Sequence, residues 1–377
     1  VINTQPPHAY SGGVERRIIE VSKRLANKIN IAVYCGRKAG FKEAVKLSKI
    51  YMVPCFSTDL FFPLDNWFFN GTLYRNFNCI KADVYEAHTV SGYGLLKALE
   101  KRGANKPFLS VIHGVLADEF LHMSREVLPT LRMRISKFFM RRLSEIEREV
   151  AQKSTLIVTV SEYSCRRIVE LYNVEREKVK VVPNGVDTSK FRPVSNYEDI
   201  KRELGIGNRP CILFVGNLIP RKGLNFLFEA AKYVVKSSKD AVFLIVGDGP
   251  LRNYLISCVR GLGLSKNFIF LGKVSDDILP KIYGLADVFV LPSLQEGQGI
   301  TLLEAQASAK PVVAFNTGGV RECVIHGRTG LLVEQNSLKL AAAILEPLGS
   351  AVIDQITSFG SSAARRICRM FPLMVGL

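Results

Sequence analysis

Short apolar, β-branched runs alternating with segments of helical period constrain this chain more than any other feature. In the second half the runs are Cys211–Val215, Val242–Val246, Phe268–Leu271, Val288–Leu291 and Pro311–Phe315, most of them followed by a helix-like stretch. The first half repeats the scheme with Ile29–Tyr34, Asp83–Ala87, Phe108–His113 and Leu156–Val160. Alternation of this kind means a parallel sheet with helices on both faces, since a parallel strand can be reached only by crossing over the sheet. Two such series in 377 residues predict an α/β chain of two Rossmann-like, doubly wound domains. The boundary is expected where Val182-Pro183-Asn184-Gly185-Val186-Asp187 leads into Phe191-Arg192-Pro193, because Pro and Gly take a chain out of a sheet and into turns. The division is thus 1–192 and 193–377, with Ser195–Arg209 opening the second domain.

Composition narrows the class further. Hydrophobic residues at 47% and charged residues at 23% are ordinary globular usage, which excludes a disordered, collagenous or coiled-coil chain. The eight cysteines are scattered singly, with no C-x-x-C and no zinc-ligand spacing, as expected of a reduced, cytoplasmic setting. No apolar run has the roughly 18 residues of a membrane span, and no charged stretch followed by an apolar one marks a secretory leader. The chain opens on Val1 rather than Met, as expected where an initiating stretch is missing. A net charge of +17 calls for a polyanionic neighbour: nucleic acid, anionic lipid or a phosphorylated small molecule. Without an RNP-like aromatic strand or a zinc finger, no nucleic-acid partner is expected.

In open α/β sheets, ligands sit at the carboxyl ends of strands, where loops feed helix N-termini whose N–H groups favour anions. Four such places stand out. Gly12-Gly13 opens a helical stretch over Val14–Asn27 and lets a phosphate approach the backbone; a plain turn before a helix is the competing reading. Gly216-Asn217-Leu218-Ile219-Pro220-Arg221-Lys222-Gly223 places two cations between a strand end and a helix start, suited to a diphosphate, with a solvated surface pair as the alternative. In Ser293–Glu304, Glu296 and Glu304 stand eight apart, about 12 Å of rise if helical. That is too far for acid/base work on one bond, but it suits a ligand gripped at two places. Gly297 and Gly299 open the helix there and offer N–H groups to a phosphate. His113 ends a buried-looking strand and precedes a glycine, as either a structural or a functional residue.

Taken in order, these residues resemble a family 4 glycosyltransferase of GT-B fold. The resemblance rests on Gly-Gly-Val-Glu (12–15), Pro-Asn-Gly-Val-Asp (183–187), Val-Gly-Asn-Leu with Arg-Lys-Gly (215–223) and Val-Gly-Asp-Gly-Pro (246–250). Phe-Leu-Gly-Lys-Val (270–274), Ala-Asp-Val-Phe-Val-Leu-Pro-Ser (286–293), the two glutamates, Gly318-Gly319, Glu322 and Gly-Arg-Thr-Gly (327–330) complete it. The resemblance implies two Rossmann-like domains facing across a cleft, with a nucleotide-sugar donor (UDP-, GDP- or ADP-sugar) held by the second and the acceptor by the first. It implies transfer with retention of configuration. Arg221 and Lys222 would bind the diphosphate and help it leave, Glu296 would hold the sugar hydroxyls and Glu304 the ribose. Gly12 and Gly13 would approach the phosphates from the first domain, His113 would contact the sugar, and Gly216, Gly299, Ile300 and Thr301 would line the donor with backbone. No cofactor or metal is expected, since two cations and several N–H dipoles can neutralise the leaving diphosphate. The leaving phosphate itself would deprotonate the acceptor.

Two departures stand out. Gln298 occupies a position where the family usually has an aromatic residue, and Met370-Phe371-Pro372 interrupts the tail Ala363–Leu377 where the family usually has a helix crossing back to the first domain. The acceptor is suggested by Arg125–Arg142, where Arg125, Arg132, Arg134, Lys137, Arg141 and Arg142 interleave with apolar and aromatic residues. Such a helix can lie on an anionic membrane, giving a peripheral enzyme with a lipid-linked or other glycan acceptor; an ordinary amphipathic helix is the alternative. A non-catalytic partner subunit of the same fold, or a sugar-nucleotide epimerase, are the rival readings.

Overall fold

The computed structural model describes residues 1–8, 12–37, 41–57, 64–123 and 131–348. The chain divides into two compact units, Val1–Val182 and Pro183–Leu377. Within the first unit the strands are β1 (Ile2–Asn3), β2 (Ile31–Gly36), β3 (Val45–Leu47), β4 (Ile50–Cys55), β5 (Tyr85–His88), β6 (Phe108–Ile112), β7 (Leu156–Thr159) and β8 (Val179–Val181). Its helices are α1 (Gly13–Leu25), α2 (Leu64–Arg75), α3 (Tyr93–Lys101), α4 (Leu116–Met123), α5 (Leu131–Lys153) and α6 (Glu162–Tyr172). The sheet order is β3-β4-β2-β1-β5-β6-β7-β8, parallel except for β3, which pairs antiparallel with β4.

Helices cover this sheet through apolar stripes. Ile18 of α1 packs on Ile31, Val33 and Cys35 of β2 and on Ile50 and Met52 of β4. Phe69 and Leu73 of α2, with Leu95, Leu96 and Leu99 of α3, close over Ile2, Ala87 and Phe108. Each fully buried side chain of this size contributes roughly 1.5–3 kcal/mol, so these stripes outweigh local propensity. That explains α2, whose sequence carries Gly71 and three buried polar residues, Asp65, Asn66 and Asn70. Asn70 serves the fold there: its Oδ1 accepts the Gly94 N–H at 2.7 Å and its Nδ2 donates to Val90 O at 3.1 Å, tying α2 to the start of α3. Glu147 of α5 has a similar task. Fully buried, it accepts the Leu116 N–H at 2.8 Å and the Tyr172 hydroxyl, joining α4 and α6 to α5. Burial pushes its carboxyl up to about 8, against the hydrogen bonds from Tyr172 and Leu116.

The second unit is a six-stranded, wholly parallel sheet of β9 (Cys211–Val215), β10 (Val242–Val246), β11 (Phe268–Gly272), β12 (Val288–Leu291), β13 (Val312–Phe315) and β14 (Leu331–Val333), ordered β11-β10-β9-β12-β13-β14. The helices are α7 (Glu198–Glu203), α8 (Leu224–Ser237), α9 (Arg252–Gly261), α10 (Leu279–Leu285), α11 (Ile300–Ala307), α12 (Val320–Cys323) and α13 (Ser337–Leu348). Every residue of β9, β10, β12 and β13 is buried, as a parallel sheet covered on both faces requires. The order reverses between β9 and β12: β10 lies to one side of β9, and the chain returns to place β12 on the other. That is the switch point at which such sheets bind ligands. Both units are therefore doubly wound in the Rossmann manner.

Candidate functional site

Beyond the carboxyl end of β9 the chain passes Gly216 and turns through a single 3-10 turn, Pro220–Lys222, before α8. Gly223 ends that turn at φ 62°, where a β-carbon would lie 2.1 Å from the Pro292 carbonyl. The turn is thus packed backbone against backbone on the loop that follows β12. The Leu294 N–H donates to Arg221 O at 2.8 Å and fastens the two loops together.

This fastening brings Arg221 and Lys222 onto Glu296, 74 or more residues later. Lys222 Nζ lies 2.5 Å and Arg221 Nη1 3.6 Å from Glu296 Oε2, and Ser293 Oγ donates to the same oxygen at 3.2 Å. Arg221 also donates to Gln295 O at 3.3 Å. The carboxylate is only 11% exposed. Burial works to raise its pKa, but the charges of Lys222 and Arg221 and the hydrogen bonds from Lys222 and Ser293 outweigh it, and the group sits below its ordinary value. Glu296 is held from behind as well: Gly319 N–H donates to its carbonyl at 3.0 Å, and Gly318, at φ 49°, approaches that carbonyl so closely that a β-carbon would stand 2.2 Å from it.

Gly299, in the left-handed region, leads directly into α11, with Ile300 and Thr301 in the first turn and no side-chain cap. The Leu302 N–H of that turn bonds back to Gly299 O at 3.0 Å, while the Ile300 and Thr301 N–H groups lie ahead of the helix's own ladder, at the positive end of its dipole. Glu304 follows on the same helix, 1% exposed, and accepts the Tyr283 hydroxyl at 2.8 Å. The sequence readings at Gly216, Arg221, Lys222, Glu296, Gly299, Ile300, Thr301 and Glu304 thus all fall on two adjoining strand-end loops and the helix that leaves one of them. A carboxylate paired with two cations beside uncapped N–H groups can receive a ligand that is anionic at one end and rich in hydroxyls at the other.

Sequence reading missed the supports of this site. Gln298 takes the place of an aromatic residue. It is buried and grips the backbone of Asn184, accepting its N–H at 2.8 Å and donating to its carbonyl at 3.4 Å. Its task is to moor the Pro-Asn-Gly segment, which an apolar side chain could not do. Tyr283 and Ser293 were also missed. For Ser293 the signal was its position three residues before Glu296; for Tyr283 nothing local existed. Asp276, shortly ahead of α10, pairs with Lys190 at 3.2 Å.

In the first unit, Gly12 caps α1 in extended conformation and Gly13 begins the helix, with the Glu15 carboxylate lying where a Gly12 side chain would be. His113 stands immediately past β6. Its Nε2 is 2.9 Å from Nδ1 of His88, whose Nε2 is 3.1 Å from Glu86 Oε1. Burial above all, and then the neighbouring His88 and Arg17, hold the His113 pKa well below its ordinary value. Burial acts to raise the Glu86 pKa, yet the His88 hydrogen bond and nearby positive charges leave it lowered. Sequence reading missed Glu86 and His88 too.

Of the basic segment, Arg125 lies outside the described residues, as do the side chains of Arg132 and Met133. On α5, Leu131, Ile135 and Phe138 are exposed at 72%, 42% and 69%, while Met140, Leu143 and Ile146 pack inward with Val90 and Leu116. Arg141 and Arg142 are each more than 70% exposed and both pair with Glu145. Among the described residues no helix is long and apolar enough to cross a membrane. The tail Ala363–Leu377 lies outside the described residues.

Two family profiles cover nearly all of the chain: residues 11–190 match Glycosyltransferase Family 4 and residues 196–350 match Glycosyl transferases group 1. The chain belongs to glycosyltransferase family 4. Among curated relatives, this family 4 chain is 32% identical over 228 residues to a GDP-mannose-dependent alpha-(1-6)-phosphatidylinositol monomannoside mannosyltransferase of Mycobacterium tuberculosis, covering 58% of each chain. It is 40% identical over 176 residues to the UDP-Gal:alpha-D-GlcNAc-diphosphoundecaprenol alpha-1,3-galactosyltransferase of Escherichia coli, covering 45% of each. The match thus spans about half the length of these relatives. Among solved structures, sucrose-phosphate synthase from Thermosynechococcus elongatus superposes with a TM-score of 0.82 at 18% identity, over 99% of this chain and 95% of that one. The fold is GT-B.

Proposed function

We propose that this family 4 chain moves a sugar from a nucleoside-diphosphate sugar to a lipid-linked or other glycan acceptor, with retention of configuration. The observation that carries the reading is the Arg221–Lys222–Glu296 cluster beside the open N-terminus of α11, at the switch point of the second sheet. Arg221 and Lys222 bind the donor diphosphate and stabilise the charge that develops as it leaves; Gly299, Ile300 and Thr301 add backbone N–H groups. Glu296, kept ionised by the same two cations, accepts hydrogen bonds from the sugar hydroxyls. Glu304 takes the ribose hydroxyls and Gly216 leaves room for the phosphates; the family resemblance assigns Gly12 and Gly13 to the phosphates and His113 to the sugar. With this much fixed positive charge the diphosphate is neutralised without a metal or other cofactor. The leaving phosphate takes the acceptor proton.

A membrane acceptor is supported by two independent facts. The relatives from M. tuberculosis and E. coli bear names that specify phosphatidylinositol-linked and diphosphoundecaprenol-linked acceptors. On α5, Leu131, Ile135 and Phe138 are exposed between Arg134, Arg141 and Arg142, a pattern that seats on an anionic lipid surface. The enzyme would thus work peripherally on the cytoplasmic face.

The test is release of nucleoside diphosphate from a panel of UDP-, GDP- and ADP-sugars, with EDTA, with and without a membrane lipid extract. Release from one donor that rises with lipid and is lost in Glu296→Ala and Arg221→Ala is expected. Folded protein that binds a donor but releases nothing from any of them would overturn the reading in favour of a non-catalytic partner subunit. Unchanged turnover in both variants would overturn the assigned site.

A further inference from the structure

His113 is not held alone. Glu86 and His88 are alternate residues of β5 and so project to the same side of the sheet, at its carboxyl end. Glu86 Oε1 lies 3.1 Å from His88 Nε2, and His88 Nδ1 lies 2.9 Å from His113 Nε2, the two rings nearly parallel at 14°. A carboxylate only accepts, so His88 Nε2 carries a proton, and a His88 ring holding that one proton presents the lone pair of Nδ1 to His113. His113 must then donate from Nε2, which leaves its Nδ1 as an acceptor. The low pKa of His113 agrees with a neutral ring.

The backbone fixes this line of three groups. Thr89, directly after His88, is held at φ 54°, a conformation a β-branched residue adopts only under constraint. Its N–H donates to Val111 O at 3.0 Å, and His88 itself is in register with Val111 on β6, two residues before His113. His88 is 2% exposed. Arg17 of α1 acts on both Glu86 and His113.

We propose that Glu86 and a singly protonated His88 are positioning residues that lock His113 in its Nε2–H tautomer, so that Nδ1 accepts a hydrogen bond from a sugar hydroxyl. The proposal rests on the reading of His113 as a sugar contact.

The test pairs variants that break the line with variants that keep it. Glu86→Met and His88→Phe remove an acceptor, whereas Glu86→Gln and His88→Gln retain an acceptor oxygen. In the full chain labelled with 15N-histidine, two-bond 1H–15N correlation should show His113 protonated on Nε2 and bare on Nδ1 in the wild type. The same pattern is expected in the two Gln variants, and a mixture of tautomers in Glu86→Met and His88→Phe. Donor kcat/KM should fall about three- to tenfold in Glu86→Met and His88→Phe and recover largely in the Gln variants, the scale of one neutral hydrogen bond. Folded Glu86→Met and His88→Phe with the wild-type tautomer and wild-type kcat/KM would overturn the proposal. His113→Ala separates the two levels. If it turns over like wild type, the sugar contact itself is wrong and the proposal falls with it; if it is impaired while Glu86→Met and His88→Phe are not, the positioning line alone falls.

Discussion

Removing the cation nearest Glu296 should cost more than the ion pair contributes, because a buried carboxylate is left behind. Glu296 and Lys222 side chains are 11% and 12% exposed and 2.5 Å apart. Breaking one partner of a buried pair typically costs about 3–5 kcal/mol. In Lys222→Met, Arg221 remains at 3.6 Å and Ser293 still donates at 3.2 Å, so a loss of about 2–3 kcal/mol is expected. Adding Glu296→Gln to Lys222→Met removes the orphaned charge and should restore part of that loss, giving a coupling of about 1–2 kcal/mol in a double-mutant cycle. Urea unfolding followed by far-ultraviolet circular dichroism is the assay. The chain's single tryptophan, Trp67, is 75% exposed on α2 of the first unit and would miss the second. The coupling has a pH signature. The Glu296 pKa is lowered by folding, so its contribution is present above the ordinary value of 4.5 and is lost as the pH falls through the lower folded value. Additivity within about 0.5 kcal/mol at pH 7 would refute the argument.

Other perturbations follow the same reasoning. Glu147 is the opposite case: its pKa is raised by folding to about 8, so the stability it lends is full below 4.5 and is lost as pH rises towards 8. Glu147→Gln, which keeps an acceptor for Leu116 and Tyr172, should therefore flatten stability across that window and stabilise the chain at pH 8 by roughly 1–3 kcal/mol, as urea midpoints would show. Gln298→Ala strips the buried Asn184 backbone of its partners and should cost about 1–3 kcal/mol, with faster amide exchange at Asn184 by hydrogen–deuterium mass spectrometry.

The fold was legible where burial is complete. β9, β10, β12 and β13 are continuous apolar runs because both faces are covered, and they emerged within a residue of their ends. The strands that escaped have a physical reason to. β3 is an exposed antiparallel edge, β4 contains Pro54, and β14 has three residues, too few for a period. The site divides in the same way. Arg221, Lys222, Glu296 and Glu304 were nominated by motif, but that Lys222 meets Glu296 is a property of strand order, which spacing does not encode. Gln298 was noticed only as a departure, since a clasp across 114 residues leaves no local trace. Glu86 and His88 did leave one: two polar residues at alternate positions near a strand's carboxyl end share a face.

The two tight backbone approaches at Gly223 and Gly318 also bear on how this site can be redesigned. Each presses one strand-end loop against the carbonyl of another, with no room for even a methyl group. Shortening, lengthening or grafting any one of these loops would therefore move its neighbour, and a library built on them would yield mostly misfolded protein. Changes to this site are better sought at side chains the loops carry, such as the half-buried Ile219, than in the loops' course.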